Sequence, residues 1–278
     1  MCSLENIIMK LQKFSDPACS FLLSFLTLSD SEIRKLEQTD EILLSKILGC
    51  EANTSNAFKY LELGIYPVRY EIMKRKILFL HYILQQEKSS MLFKVLEATR
   101  ENPTKNDFVK TCESYLEKLK INMTFEELGK LSKWSVKKMV KEKTHEAGFN
   151  YLLKEKNKQN KISEIQYSDL EIQEYLLEGN RNTKMSKVIF KARAMCLDIK
   201  TQKSWKYKDD ICVACGVKSE TGDELLFCSS YKNGKYDKDI QSLCYKTFYE
   251  GPSSDMHLLA NVVEKRLKQR EQMMEGVT

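Results

Sequence analysis

Proline and glycine are scarce, with 4 and 10 copies among 278 residues. Both interrupt helices, and strand-rich folds rely on them at turns. Their scarcity beside abundant Lys, Glu and Leu points to an all-α chain. Histidine is scarcer still, with 3 copies scattered at positions 81, 145 and 257. No His-Glu-x-x-His pair, Gly-rich phosphate loop or Gly-x-Ser-x-Gly elbow is present, so no catalytic constellation emerges and the chain is not expected to be an enzyme. Long apolar runs are missing too. The greasiest segment, Cys19 to Leu28, is far too short to span a bilayer, and no membrane partner is expected. The start, Met-Cys-Ser-Leu-Glu-Asn, carries an early acid and does not read as a secretory signal.

What the sequence does contain is charge of both signs, 45 Lys and Arg against 39 Asp and Glu, for a net charge of +6. A mildly basic balance serves solubility, or it attracts a polyanion. The 9 cysteines are odd in number. Cys2, Cys19, Cys50, Cys112 and Cys196 have no paired spacing. That implies a reducing, intracellular setting without disulfides, nuclear if the chain works on DNA and cytoplasmic otherwise.

Helical periodicity runs through most of the chain. Leu4, Ile7, Ile8 and Leu11 predict a first helix, and 19–28 a buried one. Ser29-Asp30-Ser31-Glu32 is a helix start with a cap and first-turn acids, opening a helix that stops at Gly49. A shorter helix runs from Ser55 to a stop at Gly64. Pro67 opens the strongest helix, apolar over most of its circumference through Ile72, Met73, Ile77, Leu80 and Ile83, and so expected at the centre of the fold. His81 on it reads as a core residue rather than a ligand. Further helices are expected over 90–100, 106–119, 132–156 (one long helix or two in series), 170–177, 184–197, 239–249 and 253–274. Thr124-Phe125-Glu126-Glu127 carries the capping-box pattern. In the 132–156 helix the expected apolar side includes Trp134, Val136, Met139 and Val140, and 156–161 reads as an exposed loop.

Chemistry concentrates at Cys212-Val213-Ala214-Cys215, followed by Cys228. A Cys-x2-Cys pair lets one tight turn present two thiolates to a tetrahedral ion such as zinc, and Gly216 and Gly222 free the backbone to turn around it. The fourth ligand is open. A knuckle of the Cys-Cys-His-Cys kind would carry His four residues before the last Cys, where this chain has Glu224; Asp223, Cys244 and His257 are the other candidates. The opposing reading is a small apolar turn with free, reduced cysteines.

Two basic clusters are candidates for phosphate contact. Arg69, Lys74, Arg75 and Lys76 form the polar patch of the central helix. Lys133, Lys137, Lys138 and Lys141 open the most basic run of the chain, with Trp134, Phe149 and Tyr151 among them. Cations interleaved with aromatics suit single-stranded or duplex nucleic acid. The competing reading for both is a solvated face on a helix whose aromatics turn inward. Tyr207-Lys208-Asp209-Asp210 mimics a polymerase Tyr-x-Asp-Asp hairpin, but its flanks do not alternate as strands, and it is expected to be a polar connector.

The order of several segments carries a resemblance. They are Leu36 to Leu48, Tyr60-Leu61-Glu62-Leu63-Gly64-Ile65-Tyr66-Pro67-Val68-Arg69, Ile77 to Leu84, Asn102-Pro103-Thr104-Lys105-Asn106-Asp107 and the cysteine turn. From about Ser31 to Cys228 the chain resembles the C-terminal region of reverse transcriptases of non-LTR (LINE-type) retrotransposons. There a helical linker follows the polymerase thumb and ends in a Cys-Cys-His-Cys knuckle. The resemblance implies helices that grip template RNA or target DNA during target-primed reverse transcription, and Cys212, Cys215 and Cys228 as knuckle ligands. It departs from the family at Glu224, and fingers, palm and endonuclease are not represented. The expected architecture is therefore an irregular multi-helix body over 1–200, a Cys-rich, zinc-knuckle-like segment over 201–235, and closing helices over 236–278. The expected role is non-catalytic nucleic-acid binding; the alternative is a helical interaction or structural module, including a non-functional relic.

Overall fold

A computed structural model describes residues 27–102, 107–159, 162–178, 183–231 and 256–276. The helices expected over 4–14 and 239–249 lie outside the described residues, as does 19–26 of the expected buried helix. Among the described residues the fold is all-α, as the composition predicts, with no strands and only two isolated β-bridges. None of the described helices is long and apolar enough to cross a membrane.

The caps fall where the local sequence places them. Helix α1 spans Asp30–Leu48, and the Ser29 and Glu32 backbone N–H groups are answered by each other's side chains, at 2.8 Å to Glu32 Oε2 and 3.4 Å to Ser29 Oγ. Helix α2, Asn56–Glu62, is capped by Ser55. It ends before Gly64, whose φ of +63° favours glycine and where a Cβ would lie 2.2 Å from the Ile172 nitrogen. After Pro67 comes α3, Val68–Leu84, then α4, Met91–Glu101, capped by Ser90, and α5, Phe108–Lys118, capped by Asp107. Thr124 and Glu127 form the predicted capping box on α6, Phe125–Lys130. Helix α7 is one uninterrupted element, Lys133–Asn157. The remaining helices are α8, Glu174–Glu178, α9, Thr183–Arg193, α10, Gly222–Phe227, and α11, Met256–Met274.

These elements form two compact units, neither continuous in sequence. The first comprises described residues 27–41 and 65–154. Its centre is α3, which touches α4, α5 and α6. Ile72, Ile77 and Leu80 of α3 are fully buried with Cys112, Leu128, Val136 and Val140. At roughly 1.5–3 kcal/mol per buried apolar side chain, this hydrocarbon cluster dominates the unit's stability. His81 is buried, with its Nε2 3.0 Å from the Leu131 carbonyl oxygen, which is a core role.

The second unit comprises described residues 42–64 and 155–276. Here α9 packs on α8 and α11, and α11 packs on α10. Its apolar cluster joins Leu197, Ile199, Leu225, Leu226 and Tyr231 to Leu259, Val262 and Val263 of α11. Beside it runs a buried ionic network. Glu62 accepts hydrogen bonds from Tyr167 and Tyr175 and pairs with Arg193 at 2.8 Å, and both charged side chains are essentially inaccessible to water. Burial pushes both tyrosine hydroxyls well above their usual range.

Three local expectations change. The 170–177 segment is helical only from Glu174, where α8 begins, because Ile172 bridges to Leu63 and the Gln173 N–H donates to the Glu62 carbonyl at 3.0 Å, holding the chain before it extended. Lys156 is not in a loop; it is buried inside α7, and its ammonium donates to the Ser163 carbonyl at 2.8 Å. Trp134 does not join the apolar side of α7 and is 71% exposed. It sits two residues before Val136, and at about 100° per residue that points it away from the face Val136 and Val140 bury.

Candidate metal centre and basic helix face

The cysteine turn is built from short-range hydrogen bonds. Ile211 and Ser219 bridge, the Cys212 N–H donates to the Lys218 carbonyl at 2.7 Å, and the Gly216 N–H donates to the Cys212 carbonyl at 2.9 Å. Gly216 has φ +67°, and no atom lies within 4 Å of the place a Cβ would take, so the reversed backbone rather than crowding calls for glycine. The backbone N–H groups of Lys218 and Val217 point at the Cys215 sulfur and hold its thiol below the ordinary value. Thr221 then caps α10 by accepting from the Glu224 N–H at 3.1 Å. Glu224 lies on this helix and Cys228 is its C-cap residue, four positions on. Burial pushes the Cys228 thiol up to about 11.

Cys212, Cys215, Glu224 and Cys228 thereby converge, with one ligand atom from each lying within 4.8 Å of all the others. The Cys212 and Cys228 sulfurs are 4.0 Å apart, and the Cys215 sulfur is 3.5 Å from Glu224 Oε1. A tetrahedral ion with metal–sulfur bonds of about 2.3 Å and a metal–oxygen bond of about 2.0 Å requires edges of about 3.8 Å and 3.5 Å. The cluster is close enough to hold a metal ion. The second Glu224 oxygen lies 3.6 Å from the Lys218 ammonium, which offsets part of the charge of three thiolates and a carboxylate. Four protein ligands would leave no open position, the pattern of a structural rather than a catalytic site. Cys244 and the side chains of Asp223 and His257 lie outside the described residues.

The surroundings contain groups that the sequence did not single out. Glu220, fully buried just before α10, accepts from the Lys200 N–H at 2.8 Å and from Arg270 Nε of α11 at 2.9 Å. Arg266, one turn earlier on α11, lies over the Tyr231 ring at 5.0 Å, and Tyr231 shares an apolar cluster with Cys212 and Cys228. No local pattern announces these pairs; Glu220 reads as part of a polar turn. The Tyr207-to-Asp210 stretch is a connector whose acids are separately engaged. Tyr207 donates to Asp198 at 2.8 Å, Lys200 pairs with Asp209 at 2.6 Å, and Ser219 donates to Asp210 at 2.8 Å.

The two basic clusters differ. On α3, Arg69 is paired with Glu37 and lies over the Tyr151 ring, while Lys74 and Arg75 both pair with Glu71. Lys76 is fully buried, its ammonium 5.2 Å from the Phe108 ring centroid, and burial lowers its pKa. These four cations are engaged inside the protein. On α7, Lys133, Lys137, Lys138 and Lys141 are exposed. Lys133, Lys137 and Lys141 recur every four residues along one strip and have no ion-pair partner among the described residues. Lys138 sits 4.0 Å from Glu142 and lies over the Trp134 ring at 5.5 Å.

Comparisons with protein-family models, curated proteins and solved structures found no match to this chain.

Proposed function

We propose that this chain is a non-catalytic nucleic-acid-binding module that uses the lysine strip of α7, and that Cys212, Cys215, Glu224 and Cys228 hold a structural zinc ion. The observation that carries the reading is the strip itself. Three lysines at four-residue spacing face water without carboxylate partners among the described residues, a surface that a phosphate chain complements. Three thiolates favour a soft or borderline ion, which is the ground for zinc over magnesium or calcium. Thiolates remain available as ligands in a reducing compartment, nucleus or cytoplasm. The resemblance to the post-thumb region of non-LTR reverse transcriptases supports the same reading, with template RNA or target DNA as the ligand gripped.

Fluorescence polarisation of the full chain with structured RNA and duplex DNA, at two salt concentrations, tests it. Affinity falls as salt rises, and Lys137→Glu with Lys141→Glu reduces the salt slope by about two. Binding that ignores both salt and these charges refutes the proposal. A second reading, a helical protein-interaction module, is favoured by α4, where Met91 and Val95 are 76% and 54% exposed on one face.

A further inference from the structure

The chain has 2 tryptophans, and both stand in water: Trp134 is 71% and Trp205 66% exposed. Tryptophan is ordinarily well buried, because leaving an indole in water forgoes a large hydrophobic gain. Each indole also has a lysine ammonium over its ring, Lys138 at 5.5 Å and Lys203 at 5.4 Å. The cations around the two rings separate them. Lys203 is tied to Glu51, Lys200 to Asp209 and Lys206 to Asp198, so the flank of Trp205 is largely neutralised. Around Trp134, Lys133, Lys137 and Lys141 carry no partner among the described residues.

Resting on the nucleic-acid reading above, we infer that Trp134 is a stacking platform for an unpaired base, which makes the α7 strip selective for single-stranded over duplex nucleic acid. Lys138 covers one face of the indole, and exposure on this scale leaves the other face to solvent. A flat aromatic ligand is what that face takes. A base in a duplex already has both faces stacked and cannot offer one without being unstacked, whereas a single strand can splay a base onto the ring. The phosphates flanking that base then meet Lys137 and Lys141, one and two helical turns along the same strip. An acidic peptide would satisfy the lysines but has no use for the exposed ring face. An apolar partner would bury the indole only by leaving the surrounding ammonium groups dehydrated.

The test compares wild type, Trp134→Ala, Trp134→Phe and the Lys137→Glu/Lys141→Glu pair. Each full-length variant is titrated into a fluorescein-labelled oligouridylate, a fully paired duplex of the same length, and polyglutamate. Trp134→Ala is expected to weaken oligouridylate binding about 5- to 100-fold, the range typical of one lost base stack, and to change duplex binding less than about twofold. Trp134→Phe is expected to fall between wild type and alanine. Trp134 is exposed, so thermal melts should coincide across the three. If Trp134→Ala binds oligouridylate like wild type while the lysine pair does not, the stacking inference fails and the basic-strip reading stands. If the lysine pair binds both nucleic acids like wild type, the nucleic-acid reading itself fails. Polyglutamate binding as tight as oligouridylate, with equal sensitivity to Trp134→Ala, would overturn the inference in favour of an acidic protein partner.

Discussion

The two units bury different chemistry. Around α3, the buried side chains are overwhelmingly apolar, with Ile72, Ile77, Leu80, Cys112, Val136 and Val140 at the centre and a few polar exceptions such as Lys76 and His81. The second unit buries Lys59, Glu62, Lys156, Arg193, Lys203, Glu220, Arg266 and Arg270. Desolvating a charge costs several kcal/mol even when it is paired, so such a core gains less per residue than a hydrocarbon one. It demands in return that each partner arrive in place. Glu62 needs Arg193 from far along the chain, and Glu220 needs Arg270 from α11. A metal ion held by Cys212, Cys215, Glu224 and Cys228 in this unit would be a compensating cross-link. It would tie the cysteine turn to α10, which packs on α11. The first unit buries little charge, and its α7 lysines Lys133, Lys137 and Lys141 have no ion-pair partner among the described residues.

Metal removal should break this comparison most sharply. The apparent binding free energy of a structural zinc site is on the order of 10 kcal/mol and is coupled to folding. Chelation, or Cys215→Ser, is expected to release hydrogen-exchange protection in 211–231 and in α11 while leaving α3 protected. Equal protection in α11 with and without chelator would show that the four ligands converge without holding an ion that matters for folding.

Charge removal should separate the units next. Glu62→Gln keeps the shape but leaves Arg193 buried without its counter-ion, at a cost of about 3–5 kcal/mol. Leu80→Ala removes only hydrocarbon from the first unit and costs about 3 kcal/mol. Exchange protection should drop around α9 in the first variant and around α3 in the second. A Glu62→Gln protein with unaltered denaturation would mean that the buried network contributes nothing net.

How far these features were legible follows the range of the interactions. Ser29 with Glu32 and Thr124 with Glu127 act over three residues, and their caps were readable. So was the central place of α3, because apolar residues all round a helix leave it nowhere but inside. The convergence of Cys212, Cys215 and Cys228 was readable from their spacing, whereas spacing alone left the fourth group open among Glu224, Asp223, Cys244 and His257. Glu62 and Arg193 are 131 positions apart, and Glu220 and Arg270 are 50, distances at which no local pattern pairs an acid with a base. Arg266 and Arg270 continue the inward stripe of Leu259, Val262 and Val263, so charged residues occupy places that periodicity reserves for apolar ones. Trp134 was misplaced by its residue type; the phase set by Val136 and Val140 contains the correct answer. The fate of Arg69 depended on Glu37, whereas that of Lys74 and Arg75 was written locally in Glu71.

Glu71 gives the mildest test, within the hydrocarbon unit. Burial pushes its carboxyl up, but Lys74 and Arg75 outweigh that, and it sits below its ordinary value. A depressed carboxylate contributes stability above its unfolded pKa, and that contribution is lost as pH falls through the folded value. Glu71→Gln should therefore cost about 1 kcal/mol at neutral pH, and the difference from wild type should vanish on acidification below the usual carboxylate range. Urea denaturation of both proteins across that pH range reads it directly. A gap that persists at low pH would assign the loss to packing, and the ion pairs of α3 would then be bystanders to a core held by hydrocarbon alone.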